Sequence, residues 1–580
     1  MKKFSGILIL LFLFFNFSGF SQENNTGFLH TKDKKIVDAN GENIVLRGIG
    51  LGGYMLQEGY MLKVPFSGQQ YVFKDSIQKL IGEEKTEEFY KTWRQNFIQK
   101  KDIDSMKKWG FNSVRLPMHF NLYTLPVDAE PEKNKNTWLE EGFRLTDSLV
   151  SWCKANEMYL ILDMHAAPGG QGQDVNISDR DPSKPSLWDI DENQQKLVAL
   201  WKELALRYKD EKTIGAYDLI NEPNWSFEGR ENGVEKNGIA DTLNEPLRKL
   251  MVKITKAIRE IDQNHMIVIE GNGWGNNYNG IFPLWDDNMV ISFHKYWNYN
   301  NTESIQQFLD FRDGQNAPVW MGESGENSNA WFADAIGLME KNNVGWCWWP
   351  LKKLGSNNPI EIKIDEGYQN LLDYWKGEAE KPSKEEAYAA IMQLAENTKI
   401  ENSLIHYDVI DAMIRQPRSS KTKPFKPISN NSIEAENYDL GNDGNAYKDK
   451  TSANYWVANG GKSETGNSGG AYRNDGVDIF ENSEAIYVSD TENGEFLHYT
   501  YFLPEGGTYR VELKISSEED ISVKIENNAK TFEILPIKNT NGEWKWIPSD
   551  TVNLKEGTNT LKFEMLSGDF KFDKIRFIKL

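Results

Sequence analysis

The chain has 580 residues, of which 39% are hydrophobic and 26% charged, with a formal net charge of −20. Such a composition belongs to soluble globular domains with full cores, and the length allows two to four of them. The acidic balance disfavours nucleic acid and anionic membranes, both of which would repel it.

Met1-Lys2-Lys3 precedes an apolar run from Ile7 to Phe15. This reads as a signal peptide over residues 1–21, cleaved near Ser21-Gln22. The run is short for a span of about 20 apolar residues. A secreted or periplasmic protein, without a membrane span after cleavage, is therefore expected. The two cysteines, Cys153 and Cys347, fall on a predicted helix and a predicted strand. Buried and separated, they are expected to be free thiols.

Between Ile44 and Trp349, short β-branched or aromatic runs alternate with amphipathic stretches. The runs are Ile44–Gly48, Ser113–Leu116, Tyr159–Met164, Tyr217–Ile220, Met266–Ile269, Val290–Phe293, Pro318–Met321 and Gly345–Trp348. Each is apolar on both faces, as strands of a parallel sheet must be. Between them, Asp241–Ile261 carries Leu243, Leu247, Leu250, Met251, Ile254 and Ile258 at three- and four-residue spacing, the stripe of an amphipathic helix. Eight alternating units predict a (β/α)8 TIM barrel, assigned to residues 28–415 and closed by a helical stretch over Lys384–Arg415. Residues 416–430 hold prolines and basic residues with no acid, the composition of an extended linker. From residue 431 to 580 helical periodicity disappears, and short alternating runs separated by Gly- and Asn-rich turns predict an antiparallel β-sandwich.

In a (β/α)8 barrel the reactive groups sit where strands end, at the C-terminal face. The fourth strand runs into Asn221-Glu222-Pro223 and the seventh into Gly322-Glu323. The third ends in Asp163-Met164-His165, the sixth in His294-Lys295-Tyr296, the second carries Arg115 and the eighth ends at Trp349. Two carboxyl groups across one mouth are what glycosidic cleavage needs: one protonated to release the leaving oxygen, the other ionised to attack the anomeric carbon. Glu222 is assigned as general acid/base and Glu323 as nucleophile. Arg115 holds Glu323 ionised and Tyr296 donates to it; Asn221 binds the sugar 2-hydroxyl. His165 and His294 bind hydroxyls or tune Glu222, and Trp349 offers a platform for a ring. Glu270 also follows a strand, with its role open. No H-x-x-x-H or C-x-x-C spacing suggests a catalytic metal, and no G-x-S-x-G elbow suggests a serine hydrolase.

Arg115, His165, Asn221, Glu222, His294, Tyr296, Glu323 and Trp349 together resemble, in order and strand position, glycoside hydrolase family 5. Within it, LRGIGLGGYMLQEGY (Leu46–Tyr60), NFIQKKDIDSMKKWGFNSVRLP (Asn96–Pro117), DMHAAPGGQ (Asp163–Gln171) and GWCWWPLK (Gly345–Lys352) look most like the exo-β-1,3-glucanase branch. The resemblance implies retaining double displacement with no catalytic cofactor, and places Glu58 against the outermost sugar. Three departures bear on linkage and on exo or endo action: Gly53-Tyr54 replaces the usual Gly-Trp, Pro350 interrupts the eighth strand, and Glu323 is followed by SGENSN instead of an aromatic residue.

The C-terminal segments SIEAENY (Ser432–Tyr438), GTNTLKFEM (Gly557–Met565) and FKFDKIRF (Phe570–Phe577) resemble family 6 carbohydrate-binding modules. That resemblance implies a structural calcium on Glu434, Glu436 and Asp573, whose hard oxygens suit the ion. Tyr472 and Trp544 are the candidate sugar-binding aromatics there. The expected partner is a β-1,3- or mixed-linkage glucan, and a monomer is expected. The alternatives are an endo-acting β-1,4-glucanase or β-mannanase, and a non-catalytic glycan-binding protein on the same scaffold.

Overall fold

The structure is a computed structural model, described here for residues 27–133, 135–229, 237–426, 431–464 and 466–580. The signal peptide expected over residues 1–21 lies outside them. Eight parallel strands close into a barrel: β1 (Arg47–Gly50), β2 (Ser113–His119), β3 (Tyr159–Ala166), β4 (Ile214–Asp218), β5 (Met266–Ile269), β6 (Met289–Lys295), β7 (Val319–Gly325) and β8 (Gly345–Trp349). Each pairs with its sequence neighbours, and β8 returns to β1. Helices cover the outside; β5 alone is followed by a single turn, Asn272–Gly275. The N-terminal end of the bore is filled by Met266, Val290, Trp320 and Cys347. Over it packs an antiparallel hairpin, His30–Lys32 with Lys35–Val37, through Leu29 and Ile36. Both cysteines are buried and free.

Several boundaries differ from the sequence reading. The first strand begins at Arg47, because Ile44 and Leu46 cap the barrel's closed end. Its Gly-Ile-Gly core admits a neighbour that a side chain would exclude: a Cβ on Gly50 would stand 2.9 Å from the Trp349 ring. The fourth strand ends at Asp218, so Asn221 and Glu222 sit on the loop beyond it. The helix expected from Asp241 starts at Glu245 with Pro246 in its first turn, where a missing N–H costs nothing. Leu243, counted in its apolar stripe, is outside the helix and exposed. The long helix expected over Lys384–Arg415 is two, Lys384–Asn397 and Tyr407–Ile414, separated by a turn and the short strand Leu404–Ile405.

Where residues 416–426 are described, they are anchored. Arg418 pairs with Glu340 of the barrel, and Lys423 and Leu440 exchange backbone hydrogen bonds. Beyond them two antiparallel sheets face each other. One is built on Lys571–Lys579, flanked by Gly507–Ser516 and Ser432–Glu434; the other on Gly557–Ser567, flanked by Phe496–Leu503 and Ile521–Asn527. Alternate residues turn inward, and Tyr501 stacks on Phe577 and Phe563 on Phe572 in the core between the sheets.

This sandwich is seated on the loop after β7. Asn327 Nδ2 donates to the Asn454 carbonyl at 2.7 Å, and Ser328 Oγ to the Ser452 carbonyl at 2.5 Å. Asn329, fully buried, donates from Nδ2 to Asp408 Oδ2 at 2.9 Å and to Asp475 Oδ1 at 3.0 Å. The SGENSN segment that follows Glu323 is thus the seat of the second domain.

Candidate active site

Arg115, fully buried on β2, organises the mouth. Its Nη1 donates to Glu323 Oε2 at 2.7 Å; its Nη2 reaches Asn221 Oδ1 at 2.8 Å, Asp218 Oδ2 at 2.9 Å and Glu270 Oε1 at 3.0 Å. Asp163 Oδ1 stands 3.3 Å away. Burial alone would lower the guanidinium's pKa, but Asp163, Asp218, Glu323 and Glu270 outweigh it and hold the charge firmly. One cation cannot satisfy so many anions in a dry core. Burial first, then the neighbouring Glu270, pushes the Asp218 carboxyl well above the usual range.

Glu323, at the end of β7, also accepts a hydrogen bond from Tyr296 Oη at 3.0 Å. Glu222 faces it across the mouth. One carboxylate oxygen of each, together with a ring nitrogen of His294, falls within 4.8 Å of the others. Glu222 holds a left-handed backbone with φ 43°, uncommon outside glycine and costing about 1–3 kcal/mol. Its N–H is fixed by Glu270 Oε2 at 2.7 Å. His294 bridges the two acids, with Nδ1 2.7 Å from Glu222 Oε1 and Nε2 3.2 Å from Glu270 Oε1.

Burial raises the Glu222 carboxyl above its ordinary value; the charges of Glu323 and Glu270 add to this, and His294 opposes it. Burial would lower the His294 imidazole, but Glu270 foremost, with Glu323 and Glu222, lifts it well above its ordinary value. Glu270 is itself held low by His294 and Arg115 against the effect of burial. The charge separation therefore runs between His294 and Glu270, while burial favours the protonated form of Glu222. Glu222, His294 and Glu323 are also the one group of three such residues, among those described, close enough to share a metal ion. Their facing atoms are already engaged with one another, with Arg115 and with Tyr296.

The remaining expected residues gather at the same mouth. His165 Nδ1 lies 2.7 Å from Asp163 Oδ2 and its Nε2 3.3 Å from Asn221 Nδ2. Gln171 ties the third and fourth strand ends together by donating to the carbonyls of His165 and Asn221. Trp349 stacks on His165 with ring centroids 5.0 Å apart and planes 2° from parallel, and its Nε1 donates to Tyr60 Oη at 2.9 Å. Glu58 is buried 3.9 Å from His165 Nε2, its carboxyl pushed well up by burial and then by Glu323, Glu326 and Glu222. Sequence reasoning left Glu270 without a role and passed over Asp218, Tyr60 and Glu326. For Asp218 and Glu270 a signal existed, since both are acids at the ends of buried strands.

In the sandwich, Glu434 Oε1 lies 3.0 Å from Lys574 Nζ and Asp573 Oδ2 lies 2.6 Å from Lys514 Nζ. Glu436 Oε2 is buried without a partner. Tyr472 Oη donates to Asn437 Oδ1 at 2.6 Å, and Trp544 meets Tyr487 edge-on.

Comparison with known proteins agrees with this geometry. Residues 75–355 match the model for Cellulase (glycosyl hydrolase family 5). A "Beta-xylosidase" of Phanerodontia chrysosporium is 25% identical over 382 residues, which cover 60% of this chain and 75% of that one. "Endoglucanase C" of Acetivibrio thermocellus is 26% identical over 328 residues, 46% of this chain and 87% of its own. "Probable glucan 1,3-beta-glucosidase A" of Aspergillus niger is 25% identical over 193 residues, 33% and 44% of the two chains. Two facing glutamates at the mouth of a closed barrel, and a match to the glycosyl hydrolase family 5 model over the strands that lead to both, support one conclusion: the protein is a glycoside hydrolase.

Proposed function

We propose that the enzyme cleaves β-glucosidic bonds, in a β-1,3- or mixed-linkage glucan, with retention of anomeric configuration. The observation that carries this is the approach of Glu222 and Glu323 to within 4.8 Å through one oxygen each. Retention needs carboxyl groups about 5–5.5 Å apart, whereas inversion needs about 6.5–9.5 Å to admit a water. Glu323, held by Arg115 and Tyr296, attacks the anomeric carbon. Glu222 gives its proton to the departing glycosidic oxygen, and a glycosyl ester forms on Glu323. Glu222, now ionised, takes a proton from water, whose oxygen displaces Glu323 and frees the sugar. Asn221 binds the 2-hydroxyl, a contact that tightens as the oxocarbenium-like state develops. His165, Trp349 and Glu58 line the sugar side, and His294 sets the charge of Glu222.

The test is an activated 2-fluoro-β-glucoside, whose slow ester should be recovered on Glu323. Label elsewhere, or a product of inverted configuration, overturns the mechanism. The endo reading draws support from the match that covers 87% of an endoglucanase. Product analysis on laminarin, barley glucan, cellulose and mannan separates the two: single sugars mark exo action, and a ladder of oligomers marks endo.

Export is proposed from the Met1–Phe15 sequence; among the described residues no helix is long and apolar enough to cross a membrane. For the sandwich we infer a structural calcium held by Glu434, Glu436 and Asp573. Burial, reinforced by Glu434 and Asp573, lifts the Glu436 carboxyl to about 8, and its unpartnered oxygen would be satisfied by a hard cation. The ion would stabilise the sandwich and take no part in hydrolysis.

A further inference from the structure

We infer that the sandwich loop 454–464 adds a sugar-binding subsite to the barrel's mouth, with Trp456 as the platform for a glycan ring beyond the one that reacts. The inference rests on the proposed glycan hydrolysis and extends it to a residue outside the barrel.

A row of aromatic rings leads from the nucleophile to this loop. Tyr296, whose hydroxyl binds Glu323, lies 5.2 Å from the Trp297 ring, and Trp297 meets Trp456 edge-on at 5.7 Å. Two ring-to-ring steps thus separate Trp456 from a side chain that touches the reacting carboxylate, within reach of a neighbouring sugar. The arrangement is rigid. Trp297 occupies the left-handed region with φ 45°, costly for a bulky residue, and is held there from both sides. Its Nε1 donates to the Glu326 carbonyl at 3.0 Å, and its own carbonyl accepts the Val457 N–H at 3.0 Å. Tyr299 Oη donates to Asn459 Oδ1 at 3.0 Å, and its ring packs on Tyr455 at 5.1 Å.

Against this fixed background three large apolar side chains stay in solvent: Trp456 is 43% exposed, Val457 51% and Tyr299 45%. Scattered singly they would need no account, but a cluster beside a catalytic mouth marks a binding surface. An indole edge-packed on one ring keeps a face free, and the apolar face of a pyranose is its natural partner. The buried Asn327–Asn329 seat holds the loop in register with Glu323, so two domains build one cleft.

The experiment compares Trp456→Ala and Trp456→Phe in the full chain with the wild type, on an aryl β-glucoside and on a series of β-glucan oligosaccharides. Trp456→Ala should raise KM about five- to tenfold on the longer oligosaccharides and leave the aryl glucoside unchanged, as expected for one lost ring contact. Trp456→Phe should restore most of the loss, and the unfolding midpoints should agree. An equal loss on short and long substrates, or none on long ones, overturns the subsite while glucoside hydrolysis stands. A wild type inactive on every β-glucoside overturns both.

Discussion

Glu270 accepts the backbone N–H of Glu222 at 2.7 Å while its other oxygen faces His294, so one buried acid sets both the backbone and the electrostatic surroundings of Glu222, the proposed general acid. Glu270 is a positioning residue. In Glu270→Gln the amide oxygen can still accept the Glu222 N–H, but the charge that lifts His294 is gone. The His294 imidazole should then titrate at distinctly lower pH by NMR, with kcat down about 10- to 100-fold. An unchanged titration would limit Glu270 to packing.

The pH profile carries a second expectation. Glu222 must be protonated for the first step, and burial raises its pKa above the ordinary 4.5. The basic limb of the profile is therefore set by Glu222, and activity is lost as pH rises through that raised value. In Glu222→Ala an aryl glucoside with a good leaving group should show a first step independent of pH in this range, and azide should restore turnover as the glycosyl azide. A retained basic limb would assign the acid elsewhere.

Arg115→Met should cost about 3–5 kcal/mol of stability, since it strands several buried carboxylates, and should lower kcat at least about 100-fold. Arg115→Lys keeps the charge but cannot reproduce the planar fork that reaches Glu323, Asn221, Asp218 and Glu270 together. Its stability should recover further than its activity. Denaturant midpoints read beside kcat would show the split.

Glu436 links stability to pH. Its folded pKa of about 8 lies above the ordinary 4.5, so the protonated form is favoured on folding. The contribution is fully present below the ordinary value and is lost as pH rises through about 8. Calcium should take the proton's place: at pH 8 millimolar calcium should raise the sandwich's unfolding midpoint by roughly several degrees and chelator should reverse it. Glu436→Gln should flatten the pH dependence and remove the calcium response. A wild type indifferent to calcium would refute the site.

The barrel and its glutamates were legible because buried parallel strands read as apolar runs, and a polar residue where such a run stops is conspicuous. Asn221, Glu222 and Glu323 stand out in that way. Glu270 stands out in position too, but its role did not show, because its partners Glu222 and Arg115 are 48 and 155 positions away and only closure of the barrel brings them together. Leu243 misled because Pro246, a good first-turn residue, starts the helix after it. The Lys384–Arg415 stretch kept helical composition through a turn that tertiary packing imposes. The seating of the sandwich on Asn327–Asn329 left no local trace, since asparagines and serines there resemble any polar loop until their partners on Ser452, Asn454 and Asp475 are known.

The crowding of acids around Arg115 has a consequence for which sugars can enter. Asp163, Asp218, Glu270 and Glu323 share that one guanidinium, with Glu222 and Glu58 close by. A cavity so rich in carboxyl groups, with its cations Arg115 and His294 already engaged, favours a ring that gains positive charge as its bond breaks and disfavours one that arrives with a carboxylate of its own. Uronic acids should be rejected on charge before shape is tested. An aryl β-glucuronide should therefore be turned over at least about 100-fold more slowly than the matching glucoside, and the gap should narrow as pH falls and the uronate is neutralised.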